Sequence, residues 1–356
     1  MPEAPVGDPS IDLPIASPID TIAALEGAIG RRPAGVDLKV IDHLDREALG
    51  WLAVSPLGFL GLGDGRSIAL TLAGGAPGFA VANRDKLRLP LESLDDPALV
   101  QPGRGFGSLF LAPGVGETLR VNGRVLGVEA GQAVIAVEEC YLHCAKALIR
   151  SSFWSAGTSD DGPDTACGDP AAFVAASRFL ALATIDATGR ADLSPKGDPA
   201  GRMARIDRGS GGDALWFADR PGNRRTDSFR NIIAQPAIAG ALLIPGSRQV
   251  AIVTGRARLT ADPAACEGFA VEGRTPSLAI RVDALDLTLR DSAALGRAGL
   301  WPVGDAPEGI DPPRIFTSHV RLNKDKGFSA RLAGTLLSVP GLMRKGLEKD
   351  YKSNLY

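Results

Sequence analysis

Two stretches of the chain bring cations, hydroxyls and turn residues together. The first is Leu193-Ser194-Pro195-Lys196-Gly197-Asp198-Pro199-Ala200-Gly201-Arg202. The second runs from Phe217 to Asn231 and holds Asp219-Arg220-Pro221-Gly222-Asn223-Arg224-Arg225-Thr226-Asp227-Ser228. Pro and Gly fix a turn with free backbone donors. Thr226 or Asp227 can cap a following helix whose N-terminus favours an anion. Arg224 and Arg225 can fork onto phosphate oxygens, and Lys196 adds a point charge. The chemistry implied is recognition of a phosphomonoester. A solvated helix start would explain an Arg-Arg pair in isolation; the neighbouring Ser194-to-Pro199 segment turns the reading towards a phosphate cradle.

A second polar set lies upstream, in Gly116-Glu117-Thr118-Leu119-Arg120 and Tyr141-Leu142-His143-Cys144-Ala145-Lys146. Cys140, His143 and Cys144 on one helical face would offer three metal ligands, but no fourth is spaced nearby, so no metal is expected. Cys144 as a redox nucleophile has no resolving partner beyond Cys140. Phosphate-loop, Gly-x-Gly-x-x-Gly and Gly-x-Ser-x-Gly motifs are missing.

These residues need a scaffold. The 356 residues make about two domains at the usual size. Apolar residues are 45% and charged residues 22%, enough for a sizeable core. The 43 Gly and 26 Pro favour short strands and turns over long helices. A net charge of −2 supplies no global basic field, so no nucleic-acid partner is expected. No apolar run approaches a membrane span, no signal peptide opens the chain, and four Cys show no disulfide spacing. No membrane association and a cytoplasmic location are the expectations.

The chain divides into a helical arm (1–50), a first strand-rich block (51–154), a linker (155–170), a second block (171–304) and a basic tail (305–356). Asp169 and Pro170 suit a helix N-cap and first turn. Ala187-Thr188-Gly189 suits a hairpin. Cys140–Trp154 reads as a final helix or extended segment, and amphipathic pieces are expected around Leu332, Leu336, Leu337, Leu342 and Met343, broken at Pro340-Gly341. Strands dominate both blocks, so the fold expected is mainly β with accessory helices: two small β-barrels.

The blocks repeat one another. Ser108-to-Gly114 sits beside Gly240-to-Gly246, and Thr118-to-Arg124 beside Val250-to-Arg256, at a constant offset. Ala147-Leu148, Arg150 and Trp154 match Ala294-Leu295, Arg297 and Trp301, and Phe59-Leu60 is paired with Phe179-Leu180. A tandem duplication follows, an intrachain pseudo-dimer. The halves then differ in a complementary way. The first has Ala73–Gly78 and Arg84, Lys86 and Pro90 where the second has its cations, so its cradle reads as degenerate; the second lacks counterparts of Arg120, His143 and Lys146. One composite site per chain is expected: a cradle from the second half, the opposite wall from the first.

At these residues the chain resembles the pyridoxamine 5′-phosphate oxidase-like FMN-binding split-barrel family. The resemblance rests on Ser194-to-Pro199, Asp219-to-Ser228, Pro113-to-Arg124 and Tyr141-to-Ala147 with Trp154, and spans about 59–154 and 173–301. Members usually carry all these motifs in one shorter chain that dimerises; here they are shared between two halves. The resemblance implies that Ser194, Lys196, Arg220, Asn223, Arg224 and Arg225 hold the FMN phosphate and ribityl groups. Glu117, Arg120, His143 and Lys146 would then lie across the interface near the flavin, with His143 the candidate protein acid. It implies an FMN-dependent oxidoreductase, with FAD or a deazaflavin as alternative cofactors, acting on a small-molecule redox substrate with NAD(P)H as a candidate donor. A homodimer of pseudo-dimers is the assembly open to it. The alternative function is a non-catalytic flavin-binding or flavin-sensing protein.

Overall fold

The computed structural model describes residues 15–33, 35–157, 168–209, 212–323, 351 and 355–356. The amphipathic pieces expected at Leu332 to Met343, and most of the linker, lie outside the described residues.

The arm contributes β1 (Pro18–Ile19), α1 (Ile22–Ile29) and α2 (Arg46–Val54). Short side chains start the helices: Thr21 accepts from the Ala24 amide at 3.2 Å and Asp45 from that of Ala48 at 2.9 Å. The first block is β2 (Leu57–Gly63), β3 (Ile68–Gly74), β4 (Val81–Ala82), β5 (Lys86–Pro90), β6 (Gly105–Leu111), β7 (Thr118–Glu129), β8 (Gln132–His143) and α3 (Lys146–Arg150). The second is α4 (Pro170–Ala176), β9 (Phe179–Ile185), β10 (Ala191–Gly197), β11 (Ala204–Gly209), β12 (Gly212–Ala218), α5 (Asp227–Ala234), β13 (Ala237–Leu243), β14 (Gln249–Thr260), α6 (Pro263–Glu267), β15 (Ala279–Asp291) and α7 (Ala293–Ala298), followed by α8 (Pro312–Leu322). Asp169 caps α4 as expected, with Pro170 in its first turn.

The fold is mainly β, two antiparallel split barrels with few helices. One sheet runs β3-β2-β6-β7-β8-β5-β4 and the other β10-β9-β13-β14-β15-β12-β11, so the strand order is the same in both. The register corrects one pairing. Leu57 faces Leu111 in the first sheet, whereas Phe179 faces Leu243 in the second. Phe179 is therefore equivalent to Leu57, not to Phe59. The two phenylalanines instead touch, with ring centroids 5.6 Å apart. A two-residue slip preserves the face of every side chain, which is why the sequence pattern concealed it.

Each half has its own core, and a third core lies between them. Leu60 and Leu62 point into the first barrel, while Leu57 and Phe59 join Phe179, Ala181 and Ala183 in the shared core. Leu180 and Leu182 turn back into the second barrel. β2 and β9 are thus buried on both faces, and this requires their unbroken apolar runs. Two glycines mark matching close crossings: a Cβ at Gly197 would stand 1.9 Å from the Ala147 carbonyl oxygen, and one at Gly74 2.1 Å from that of Ala294. α3 therefore closes on β10, and α7 on β3, in the same way.

The described parts of the arm and of the tail pack against the barrels. β1 pairs with β14 of the second half, while α2 buries Trp51 and Leu52 in the first core. α8 packs against α2 and β8, burying Ile315, His319 and Val320. Cys140–Trp154 is not one helix. β8 continues to His143, Cys140 enters the first core and α3 begins at Lys146. On a strand Cys140 and His143 face opposite ways, so the helical face that would have gathered three metal ligands is not built. Among the described residues no helix is long and apolar enough to cross a membrane.

Candidate functional site

A cavity of about 690 Å³ opens between the halves. β10 and the turn leading into α5 form one side, and β7, the end of β8 and α3 form the other. Ser194, Lys196, Arg220, Asn223, Arg224 and Arg225 all line it, and so do Arg120, His143 and Lys146. Glu117 does not: its half-buried carboxylate accepts a 2.9 Å bond from the Tyr351 hydroxyl, and burial pushes its pKa up. Arg84 and Lys86 of the first half are exposed and away from the cavity.

Arg120 links the two halves. It is 1% exposed, and its Nη1 sits 2.5 Å from the carboxylate of buried Asp192. The same nitrogen donates to the Tyr141 hydroxyl, and Nη2 donates to Ser194 Oγ at 3.1 Å. Ser194 Oγ meets Ser228 Oγ at 3.1 Å. Burial raises the Asp192 pKa against the opposing pull of Arg120. Arg120 Nε makes no hydrogen bond.

Local backbone geometry aims Arg225. Arg224 and Thr226 take φ of +56° and +57°, a left-handed conformation that non-glycine residues rarely adopt. Between them Arg225 turns inward, 4.1 Å over the Tyr141 ring, and its Nε donates to Asp227. Its Nη1 makes no hydrogen bond and forms a 3.5 Å ion pair with Asp37. Thr226 stands at the N-cap of α5, but neither it nor Asp227 caps the helix with its side chain, because the left-handed backbone turns the Thr226 hydroxyl elsewhere.

Most of the cations carry their own counter-ion. Lys196 Nζ is 3.0 Å from Asp219 and packs 4.3 Å over the Phe229 ring. Arg220 holds Asp198 at 2.8 Å, both groups buried. Arg224 is exposed and makes no ion pair among the described residues. Burial, with Arg120 and Lys39 nearby, pushes the His143 pKa well below its ordinary value. Desolvation and the nearby cations thus favour the uncharged imidazole.

The sequence reading missed the arm. Ala28 and Ile29 of α1 line the cavity, and Arg32 donates to Asp227 at 2.7 Å and to the Arg225 carbonyl at 3.0 Å. Arg150 and Arg274, also lining, escaped it as well, although the repeat match at Arg150 and Arg297 was a usable signal. Asp192, which holds Arg120, could have been found from its place two residues before Ser194 on one strand face.

At the mirrored position the molecule is filled. Asp95 accepts from the Ala294 amide at 2.7 Å and from Ser292 Oγ at 2.5 Å. Arg297, the counterpart of Arg150, donates to the Gly74 and Ser93 carbonyls at 2.9 and 2.7 Å. A carboxylate of the chain itself thus satisfies the donors at the start of α7.

Comparison with known proteins gives matches to part of the chain. Among solved structures, the chain is similar to HupZ of Group A Streptococcus (17% identity over 33% of this chain and 88% of that one, TM-score 0.26). It is also similar to an F420 reductase (18%, 32% and 93%, TM-score 0.23) and to General Stress Protein 26 of Bacillus anthracis (13%, 33% and 92%, TM-score 0.24). No curated protein matches the chain. Residues 170–290, which include β10 and the Asp219-to-Ser228 turn, match the model of the family described as pyridoxamine 5′-phosphate oxidase.

Proposed function

We propose that the protein is a flavoprotein that binds FMN in the cavity between its halves and acts as an oxidoreductase. The observation that carries this is the convergence of Arg120 and Lys146 from one half with Lys196, Arg220, Arg224 and Arg225 from the other on a single cavity. Cations gathered around one concave site favour an anionic ligand, and guanidinium groups suit phosphate oxygens. The volume is in the range of cofactor sites. In this reading Arg224, Arg225, Lys196 and Ser194 take the phosphate end, with Arg220 and Asn223 supporting the turn. Arg120, His143 and Lys146 face the ring system. Glu117 acts at a distance from the cavity. Bound flavin would supply the redox chemistry; the chain binds it, orients it and keeps water out. The substrate is a small redox-active molecule, with NAD(P)H as a candidate donor, and FAD or a deazaflavin are the alternative cofactors.

The same reading makes the chain a fused pseudo-dimer with one working site, because Asp95 fills the mirrored one. It also places the protein in the cytoplasm and leaves a homodimer of pseudo-dimers open. FMN titration followed by flavin fluorescence quenching tests it, with one flavin per polypeptide expected. Two per polypeptide, or none, refutes it. A second reading is a non-catalytic flavin-binding or flavin-sensing protein. Reduction of bound FMN by NADH or NADPH and reoxidation by an added acceptor separates the two.

A further inference from the structure

Arg32 of the arm does not line the cavity, yet it grips the turn that carries Arg224 and Arg225. Its Nη1 donates to the Arg225 carbonyl at 3.0 Å and to Asp227 at 2.7 Å, and its Nη2 donates to Asp37 at 2.5 Å. The same two carboxylates flank Arg225. Asp227 accepts from Arg225 Nε, and Asp37 lies 3.5 Å from Arg225 Nη1, with Glu139 further off at 3.9 Å from Nη2. Arg32 therefore shares the two nearest counter-ions of Arg225.

Helix α1 brings the arm to this place. Leu25 is buried in the second core, Glu26 pairs with Arg230 of α5 at 2.7 Å, and Ala28 and Ile29 line the cavity. The chain then passes Arg224 at Gly30, where a Cβ would stand 2.6 Å from Arg224 Nη1. The carbonyl that Arg32 holds lies between two residues of left-handed backbone, Arg224 and Thr226. Such a conformation persists only where the surroundings fix it, and Arg32 supplies one of the fixing bonds. Charge adds a second effect. Arg32 and Arg225 together balance Asp37 and Asp227. Without Arg32 the two carboxylates outnumber the remaining guanidinium, and that surplus opposes an incoming anion.

We propose that Arg32 is a positioning residue for the phosphate end of the site: it fixes the Arg224-to-Thr226 turn and offsets the carboxylates that would otherwise neutralise Arg225. This rests on the flavin reading above. The unsubstituted protein, Arg32→Met, Arg32→Lys and Glu26→Gln are titrated with FMN and with riboflavin, which keeps the ring and ribityl chain and lacks the phosphate. Arg32→Met is expected to weaken FMN binding about tenfold, the scale of one misaligned charge-assisted bond, and to leave riboflavin binding unchanged. Arg32→Lys keeps the charge and should recover part of the loss. Glu26→Gln loosens the same arm away from the turn and should bind FMN as the unsubstituted protein does. Unchanged FMN affinity in Arg32→Met, an equal loss for riboflavin, no recovery in Arg32→Lys, or an equal loss in Glu26→Gln overturns the positioning role and leaves the flavin reading standing. FMN binding by none of the four proteins overturns both.

Discussion

Replacing Arg120 by Met tests the central contact between the halves. The substitution keeps most of the side-chain volume and removes the charge. It leaves Asp192, 6% exposed, without the guanidinium 2.5 Å away. Removing one partner of a buried ion pair costs about 3–5 kcal/mol, because the other charge stays in a low-dielectric site. Replacing both partners, in Arg120→Met with Asp192→Asn, should cost much less, since no uncompensated charge remains. Proton linkage gives a second signature. Burial already raises the Asp192 pKa above that of an unfolded carboxylate, and losing Arg120 raises it further. Between the unfolded and folded pKa values the native state then binds more protons than the unfolded state, so stability falls as pH rises through that window. The Arg120→Met penalty should therefore be largest at neutral pH and shrink on acidification. Urea denaturation of the single and double variants at pH 7 and pH 5, with linear extrapolation, measures both effects. A single-variant loss below about 1 kcal/mol, or a double variant as damaged as the two singles combined, would refute the view of this contact as a buried charge pair.

Arg224→Ala with Arg225→Ala should lose FMN retention while the far-ultraviolet circular dichroism persists, each charge-assisted phosphate bond being worth about 1.5–3 kcal/mol. Arg84→Ala with Lys86→Ala, at the degenerate cradle, should leave the FMN dissociation constant unchanged in the same titration. Gly197→Ala should destabilise by about 1–3 kcal/mol or more in thermal denaturation, because its Cβ would meet the Ala147 carbonyl and only backbone movement relieves the clash. Asp45 is held at a pKa of about 2 by His319, the Ala48 amide and Ser318 despite its burial. Its stabilisation is complete above the unfolded carboxylate pKa near 4 and lost as pH falls towards 2, so Asp45→Ala should flatten the acid limb of the stability curve. At neutral pH the same variant should cost about 2–4 kcal/mol through a lost helix cap and an unpartnered His319.

The fold and the clustering of cations on one cavity wall were legible because both are local. Apolar runs such as Phe179-Leu180-Ala181-Leu182 and the hairpin at Ala187-Thr188-Gly189 are strand and turn chemistry within a few residues. The Pro-Gly-Asn-Arg-Arg turn carried its donors in sequence order, and the repeat showed that two halves share one plan. The finer register was not legible, since a shift of two residues changes no face.

What the sequence by itself determined was the inventory: two β-rich halves, cations concentrated in one and an Arg–His–Lys set in the other. Pairing was left to the assembled molecule. Arg120 finds Asp192 seventy-two positions away, Arg32 of the arm finds Asp227, and Asp95 fills the mirrored site through Ala294 and Ser292. Such pairs carry no local pattern, because they exist only once two barrels have closed on a common core. The same burial pushes the His143 pKa down and leaves Arg120 Nε without a hydrogen bond.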